Sequence, residues 1–243
     1  MQQPSGTVSL DRNQVNLFIR GAGLLGLVAV ALSLTSATIR LPGTPAGVLT
    51  GITPLIQVEL VHSKAELAAV LGPSGSEARN ILAKRLMLPG FDFASVWMLF
   101  LFVLYQLKSL LKVEARVWTR ATLIMIIATL LVERQVIDTT IAVAKAATVT
   151  DELFNTLQAT AELKWELLFA TTVFCSALFW RSRWTLRFGG ELMGFAAAIA
   201  GFVLFYDTRL IAPLTLVMFA ALCGLSTLLV VSPGLLSDPL DRR

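Results

Sequence analysis

The sequence predicts an all-α, polytopic membrane protein with about six transmembrane helices in a single transmembrane domain over residues 1–243. Of its 243 residues, 56% are hydrophobic and 15% are charged, and the mean hydropathy is +0.74. A soluble domain carries about 25% charged residues, so this chain has too few to cover a surface that faces water. Its apolar residues lie in long blocks without the alternation of barrel strands, and about 20 such residues cross a bilayer as a helix.

The first apolar block, residues 17–39, predicts the first transmembrane helix. Thr35 and Ala37 also match the small residues that precede the cleavage point of a signal peptide. The polar leader before the block is long, however, and this favours a helix that is retained.

Residues 40–90 form the longest stretch between two apolar blocks, and prolines interrupt it repeatedly. We expect this extracytoplasmic segment to contain short helices that begin at two capping-box spacings, Ser63 with Glu66 and Ser74 with Glu77. Residues 76–88 are amphipathic. Such a helix lies in the headgroup layer or covers the end of the helix bundle, and we favour the second position.

Five further blocks complete the predicted set of six. They lie at residues 93–111, 121–147, 151–180, 188–206 and 210–231. At ~1.5 Å per residue, the fourth helix by itself exceeds the depth of the hydrocarbon core, and a short turn near Val149 joins it to the third. We therefore expect them to form a long hairpin that projects beyond the outer face of the membrane.

Basic residues concentrate on one predicted side of the membrane. This side holds the N-terminus, the loops 108–120 and 181–187, and the C-terminal tail, whereas the turn 207–209 on the other side has one arginine. The positive-inside rule then places both termini in the cytoplasm, and the composition suits a bacterial inner membrane. Because the positive charges flank apolar blocks, the net charge of +4 indicates orientation in the lipid bilayer and not binding of nucleic acid.

The third and fourth blocks carry a candidate charged network. Its members are Glu133, Arg134, Asp138, Glu162, Lys164 and Glu166. With a turn near Val149, Arg134 lies level with Lys164 and the six side chains gather in one layer. Ionisable residues at membrane depth suggest a function, and the excess of acids over bases is available to a proton or a cation. Charges near the interface also reach water or hold helices in register, and we favour this structural role.

The fifth block carries a candidate helix-packing face of small side chains. Its members are Gly190, Gly194, Ala197, Ala198 and Gly201. Small residues let another helix approach closely in a membrane. We expect the sixth helix to cover this face, with a second protein as the alternative.

No motif of a known catalytic or cofactor site occurs, and the chain has one histidine and two cysteines. We therefore expect no catalytic, cofactor-binding or metal-binding residue. The favoured function is a non-enzymatic accessory or scaffold subunit that binds other membrane protein subunits or a second copy of itself. One alternative is a small transporter or channel for protons, cations or small solutes that uses the layer of Glu133, Arg134, Asp138, Glu162 and Glu166. The other, ranked last, is an intramembrane enzyme that acts on lipid.

Overall fold

The computed structural model describes residues 12–37, 54–87, 99, 102, 116–179, 184–204 and 211–237. Every regular element within these ranges is a helix, and no strand occurs in them. In chain order the helices are α1 (Arg12–Ala37), α2 (Pro54–Glu59), α3 (Lys64–Leu71), α4 (Glu77–Met87), α5 (Arg116–Lys145), α6 (Asp151–Ser176), α7 (Trp184–Val203), α8 (Ile211–Val231) and α9 (Gly234–Ser237). A 3-10 turn, Ala177–Phe179, follows α6 directly.

Three of the described helices are long and apolar enough to cross a membrane. They are Arg12–Leu32 within α1, Trp184–Val203, which is α7, and Pro213–Val231 within α8. The predicted class of helical membrane protein agrees with this finding. The second predicted span, 93–111, lies outside the described residues apart from Leu99 and Phe102, and so does the turn at 207–209.

The long helices pack in the order α5, α6, α7, α8 and α1. Each neighbouring pair from α5 to α8 is consecutive in the chain, so the helices run up and down, and α1 closes the row against α8. The buried side chains between them form one apolar cluster, which includes Ile126, Trp165, Phe169, Phe179, Met193, Leu222 and Leu225. This cluster is the core of the bundle.

Buried positions on α5 and α6 recur at alternating intervals of three and four residues, the period of helices that pack along their length. On α5 they include Thr122, Ile126, Thr129, Glu133, Val136, Thr140 and Val143, and on α6 they include Phe154, Leu157, Ala161, Lys164, Leu168, Thr171 and Cys175. Buried threonines donate to the carbonyl four residues earlier, as Thr129 does to Met125 at 2.7 Å. One acid, Glu133, and one base, Lys164, therefore occupy core positions of this hairpin.

A second apolar cluster joins residues 54–87, which we call the α2–α4 segment, to the hairpin tip, residues 143–157. The α2–α4 segment contributes Val58, Val61, Leu67, Val70, Leu71, Ala78, Leu82 and Ala83, and the tip contributes Val143, Ala144, Phe154 and Leu157. The amphipathic helix α4 packs along α5. Its apolar face is thus buried on protein.

Helices α3 and α4 each begin after a serine that caps the helix, but the predicted serine is the observed one only at α3. At α3, Ser63 Oγ accepts the N–H of Glu66 at 3.1 Å, as the spacing predicts. At α4, the corresponding serine is Ser76, whose Oγ accepts the N–H of Arg79 at 3.3 Å. The expected start at Ser74 is therefore two residues early, because Gly75 takes a left-handed conformation (φ 76°) and turns the chain before the helix begins.

Candidate functional site

Two carboxylates and one ammonium group meet inside the protein, and we call Glu59, Lys164 and Glu133 the triad. Lys164 Nζ lies 2.7 Å and 2.9 Å from the two carboxylate oxygens of Glu59. It lies 2.8 Å from Oε2 of Glu133. The exposed fractions of the side chains are 6% for Lys164, 2% for Glu59 and 7% for Glu133. One buried ammonium group therefore bridges two carboxylates on different elements.

Each member of the triad is positioned by the packing of its own helix. Glu133 and Lys164 occupy core positions of the α5–α6 hairpin, so each faces the other helix. Glu59 ends α2, which lies between the two apolar clusters and contacts α6. Gln158 on α6 donates from Nε2 to the carbonyl oxygen of Val61, which lies just after α2, at 3.2 Å. This bond fixes α2 against α6 beside the triad.

The triad is buried, and the contacts between its opposite charges offset the cost of that burial. Taking a charged group out of water costs several kcal/mol, and short, well-aligned contacts with the opposite charge offset that cost. Both oxygens of Glu59 contact the ammonium group, and Lys164 Nζ also lies 5.5 Å from the ring centroid of Trp165. Removing Lys164 from this arrangement leaves two buried carboxylates without compensation.

The six residues of the predicted network do not form one layer. Glu133 and Lys164 meet in the triad. Arg134 and Asp138 pair with each other at 3.0 Å, and their side chains are 73% and 54% exposed. Glu162 is exposed and Glu166 is partly exposed. The register explains the difference, because Glu133 and not Arg134 lies opposite Lys164, and one residue along a helix turns the side chain by about 100°.

Sequence reasoning missed the third member of the triad, Glu59. It lies 105 residues before Lys164, in a segment predicted only as extracytoplasmic. A local signal does exist, since Glu59 is a single acid between apolar residues on both sides, in the run LIQVELV at 55–61. An acid in such a run is buried with the run and needs a partner there.

The small-residue face of α7 packs against α6 and the 3-10 turn that follows it. A Cβ atom at Gly190 would lie 2.5 Å from Phe179 Cβ, and one at Gly194 would lie 2.8 Å from Ser176 Cβ. A Cβ at Gly201 would lie 3.6 Å from Phe169 Cβ.

This corrects the expectation that the sixth predicted helix covers the face. The fourth covers it, and α8 meets the neighbouring Gly189, where a Cβ would lie 2.8 Å from Leu225 Cδ2. Of the two alanines predicted for the face, Ala197 is buried and Ala198 is exposed. Ala198 lies about 100° around the helix from Ala197 and so falls outside the contact.

The α2–α4 segment is also attached to the hairpin tip by a buried arginine. Arg79, 6% exposed, donates from Nη1 to the carbonyl oxygens of Val143 at 3.2 Å and Ala146 at 3.1 Å. Its Nε donates to the carbonyl oxygen of Gly72 at 3.1 Å. The last carbonyls of a helix have no partner within the helix, so Arg79 completes the C-terminal end of α5.

Within the described part of the chain, no group of three or more His, Cys, Asp or Glu side chains is arranged to hold a metal ion. No family model, curated protein or solved structure matches this chain.

Proposed function

We propose that the chain crosses the membrane six times. The α2–α4 segment packs on the hairpin tip, and this contact supports a common side of the membrane for both. From the tip, α5 extends for 30 residues, or about 45 Å, against a hydrocarbon core of about 30 Å. The first residue of α5 then lies on the opposite side from the α2–α4 segment. The chain between them must cross once, and the predicted second span at 93–111 supplies that crossing.

The same proposal places both termini on the side opposite the hairpin tip. Support comes from the up-and-down order of α5 to α8 and from the contact of α9 with α1. The basic residues of the termini and of the loops at 108–120 and 181–187 then share that side, which the positive-inside rule makes cytoplasmic. A bacterial inner membrane suits this distribution of charge.

In this topology the triad lies in the outer part of the hydrocarbon layer. At ~1.5 Å per residue, Glu133 is about 20 Å from Arg120 along α5, and Lys145 is about 18 Å further. The sum exceeds the thickness of the hydrocarbon core, so the hairpin tip projects beyond the outer face together with the α2–α4 segment.

We propose that the protein is a non-enzymatic accessory or scaffold subunit of a membrane complex. The observation that carries this proposal is that the α2–α4 segment packs on the hairpin tip, through an apolar cluster and the hydrogen bonds of the buried Arg79. A bundle that holds such a fixed extramembrane body suits a subunit that positions another protein. The small-residue face of α7 is already covered by α6, so the exposed surface of α4 is the better contact for a partner subunit or a second copy.

This function is tested by extraction in mild detergent at native expression level, followed by a native gel and mass spectrometry. A partner at fixed stoichiometry is expected, and Lys84→Glu on the exposed face of α4 should release it. Thr227→Ala, an exposed change on α8 within the bundle, should leave it bound. A protein that purifies alone and crosslinks to nothing would remove the basis of the proposal.

A second candidate function is transport of a proton or a small cation. The triad favours it, because ionisable side chains at membrane depth commonly mark ion pathways. In vesicles that contain the purified protein, flux of protons or cations should then fall in Glu133→Gln. Flux that survives replacement of Glu133, Asp138, Glu162 and Glu166 by their amides would exclude this candidate.

A further inference from the structure

Helix α5 carries a second stripe of side chains, on the face that points away from the bundle core. Its members recur at intervals of three and four residues, and all are exposed: Ile124, Ile127, Leu131, Arg134 and Asp138. Helices that pack along their length use this spacing. The row of long helices ends at α5, and within the described part of the chain these side chains stay open. We call this stripe the outer face of α5.

The outer face changes from apolar to charged along its length. Arg134 Nη2 lies 3.0 Å from Oδ1 of Asp138, one turn further along the helix. In the proposed topology the two residues lie about 21 Å and about 27 Å along α5 from Arg120, within a hydrocarbon core of about 30 Å. Charged residues in membrane-spanning segments almost always face other protein or a water-filled cavity. An ion pair on an open face of α5 therefore indicates that another protein surface covers it.

A second copy of the chain offers a surface that complements this ion pair. In a dimer with a two-fold axis along the membrane normal, the same face of each copy meets itself. The contact of Arg134 with Asp138 already holds the guanidinium group at the level of Asp138. Because a guanidinium group has five N–H donors, each Arg134 can also bind Asp138 of the second copy. The two arginines and two aspartates then alternate, and each charge has two neighbours of the opposite sign.

The membrane favours these contacts between copies. In water, burial of an ion pair at an interface carries a desolvation cost that can exceed the attraction. On a helix that faces lipid, both charges have already left water, so the contacts with the second copy add attraction without a further cost of that kind. Apolar side chains alone have little reason to exchange lipid for protein. The charged end of the outer face thus selects the partner, and Ile124, Ile127 and Leu131 supply the packing.

We propose that the outer face of α5 is the interface of a parallel homodimer, in which Arg134 and Asp138 pair reciprocally across a two-fold axis. This inference rests on the proposed topology and gives the proposed scaffold a contact within the membrane, separate from the exposed face of α4. The dimer brings two hairpin tips to the same side of the membrane, each with its own α2–α4 segment.

Cysteine crosslinking in native membranes tests the interface without a change to either charge. In a protein whose Cys175 and Cys223 are replaced by alanine, Leu131→Cys should form a disulfide-linked dimer under mild oxidation. Leu163→Cys, at another exposed leucine, on α6, is the matched control and should stay monomeric. Absence of a dimer at position 131 would overturn the interface, because lipid or another segment of the same chain would then cover the outer face. Equal crosslinking at both positions would also overturn it, because random collision gives that result.

Exchange of charges tests the reciprocal ion pairs. Arg134→Glu leaves two acids on the outer face and Asp138→Arg leaves two bases, so each variant alone should associate with itself about tenfold or more weakly, the change that ~1.4 kcal/mol produces. A mixture of the two should regain association, because each supplies the charge that the other lacks. Resonance energy transfer between differently labelled copies in liposomes measures every combination. Glu162→Arg, an exposed charge reversal on α6, should leave self-association unchanged.

Recovery in the mixture would also show that both charge variants are folded. A mixture that associates no better than either variant alone, although both keep the thermal stability of the native protein, would overturn the reciprocal pairing. Lys84→Glu, which should release a partner bound at α4, should leave the crosslink at position 131 unchanged. Failure of the dimer is therefore distinguishable from failure of the proposed function.

Discussion

The guanidinium group of Arg79 donates to the carbonyl oxygen of Val143, 64 residues further along the chain, at 3.2 Å. Val143 thus belongs to the second apolar cluster and also supplies one of the last carbonyls of α5, which have no partner within the helix. The contact joins a helix of the α2–α4 segment to a helix of the bundle. It makes the end of α5 depend on a residue of α4.

Replacement of Arg79 tests this dependence. Arg79→Met keeps most of the aliphatic side chain but removes the donor from the buried contact with the Val143 carbonyl and from the partly buried contacts with Gly72 and Ala146. It should lower the free energy of unfolding by about 2–3 kcal/mol. Lys84→Met, on the exposed face of the same helix, should change it by less than ~0.5 kcal/mol. Thermal unfolding in detergent compares the two variants. Equal midpoints would contradict a role for Arg79 at the end of α5.

Lys164 and Arg134 belong to one predicted network, but the structure buries the ionic contact of Lys164 and exposes that of Arg134. Their replacements should therefore differ in their effect on stability. Lys164→Met leaves two buried carboxylates without their ammonium group and should destabilise the protein by about 3–5 kcal/mol. Arg134→Met breaks an exposed pair and should cost less than ~1 kcal/mol. Folded yield after size-exclusion chromatography and the midpoint of thermal unfolding report both effects. A smaller loss for Lys164→Met than for Arg134→Met would disprove the burial of the triad.

The close packing of α6 and α7 predicts a substitution that can be rescued. Gly194→Ala places a Cβ 2.8 Å from Ser176 Cβ and should destabilise the protein by about 1–3 kcal/mol. Adding Ser176→Gly should recover much of that loss. Gly224→Ala, where a Cβ meets nothing within 4 Å, is the control. If Ser176→Gly does not rescue Gly194→Ala, the two helices do not meet at these positions.

The proposed topology predicts which residues share a side of the membrane. Single cysteines at Lys84 and Thr148 should both react with a membrane-impermeant maleimide from outside, and one at Asn13 only from inside. These three positions are exposed, and the native Cys175 and Cys223 would first be replaced by alanine. Labelling of Lys84→Cys and Thr148→Cys from opposite sides would refute six spans.

Hydropathy alone came close to the limits of the long helices. The fourth and sixth predicted spans, 151–180 and 210–231, correspond to α6 with its 3-10 turn and to α8. Such limits are readable because the apolar side chains that a long buried helix needs recur along its whole length. The long extent of the third helix, α5, follows in the same way.

Contacts between helices were harder to predict, because they depend on single-residue register. Placing Arg134 opposite Lys164 was wrong by one residue, and this one residue exchanges an exposed ion pair for a buried one. Glu59 could not be assigned at all from spacing, since nothing local relates it to a lysine 105 residues away. The partner of the glycine face on α7 depended in the same way on how the helices are arranged in space.

The second apolar cluster also sets an order of events during biosynthesis. The α2–α4 segment leaves the ribosome before the hairpin tip that buries its apolar face, and the roughly 55 residues between them take on the order of 3–11 s to translate. For that time Leu67, Leu71 and Leu82 lack the side chains of the hairpin tip that complete their cluster. The nascent segment is then a substrate for chaperones and proteases until the arrival of α5 and α6 completes it.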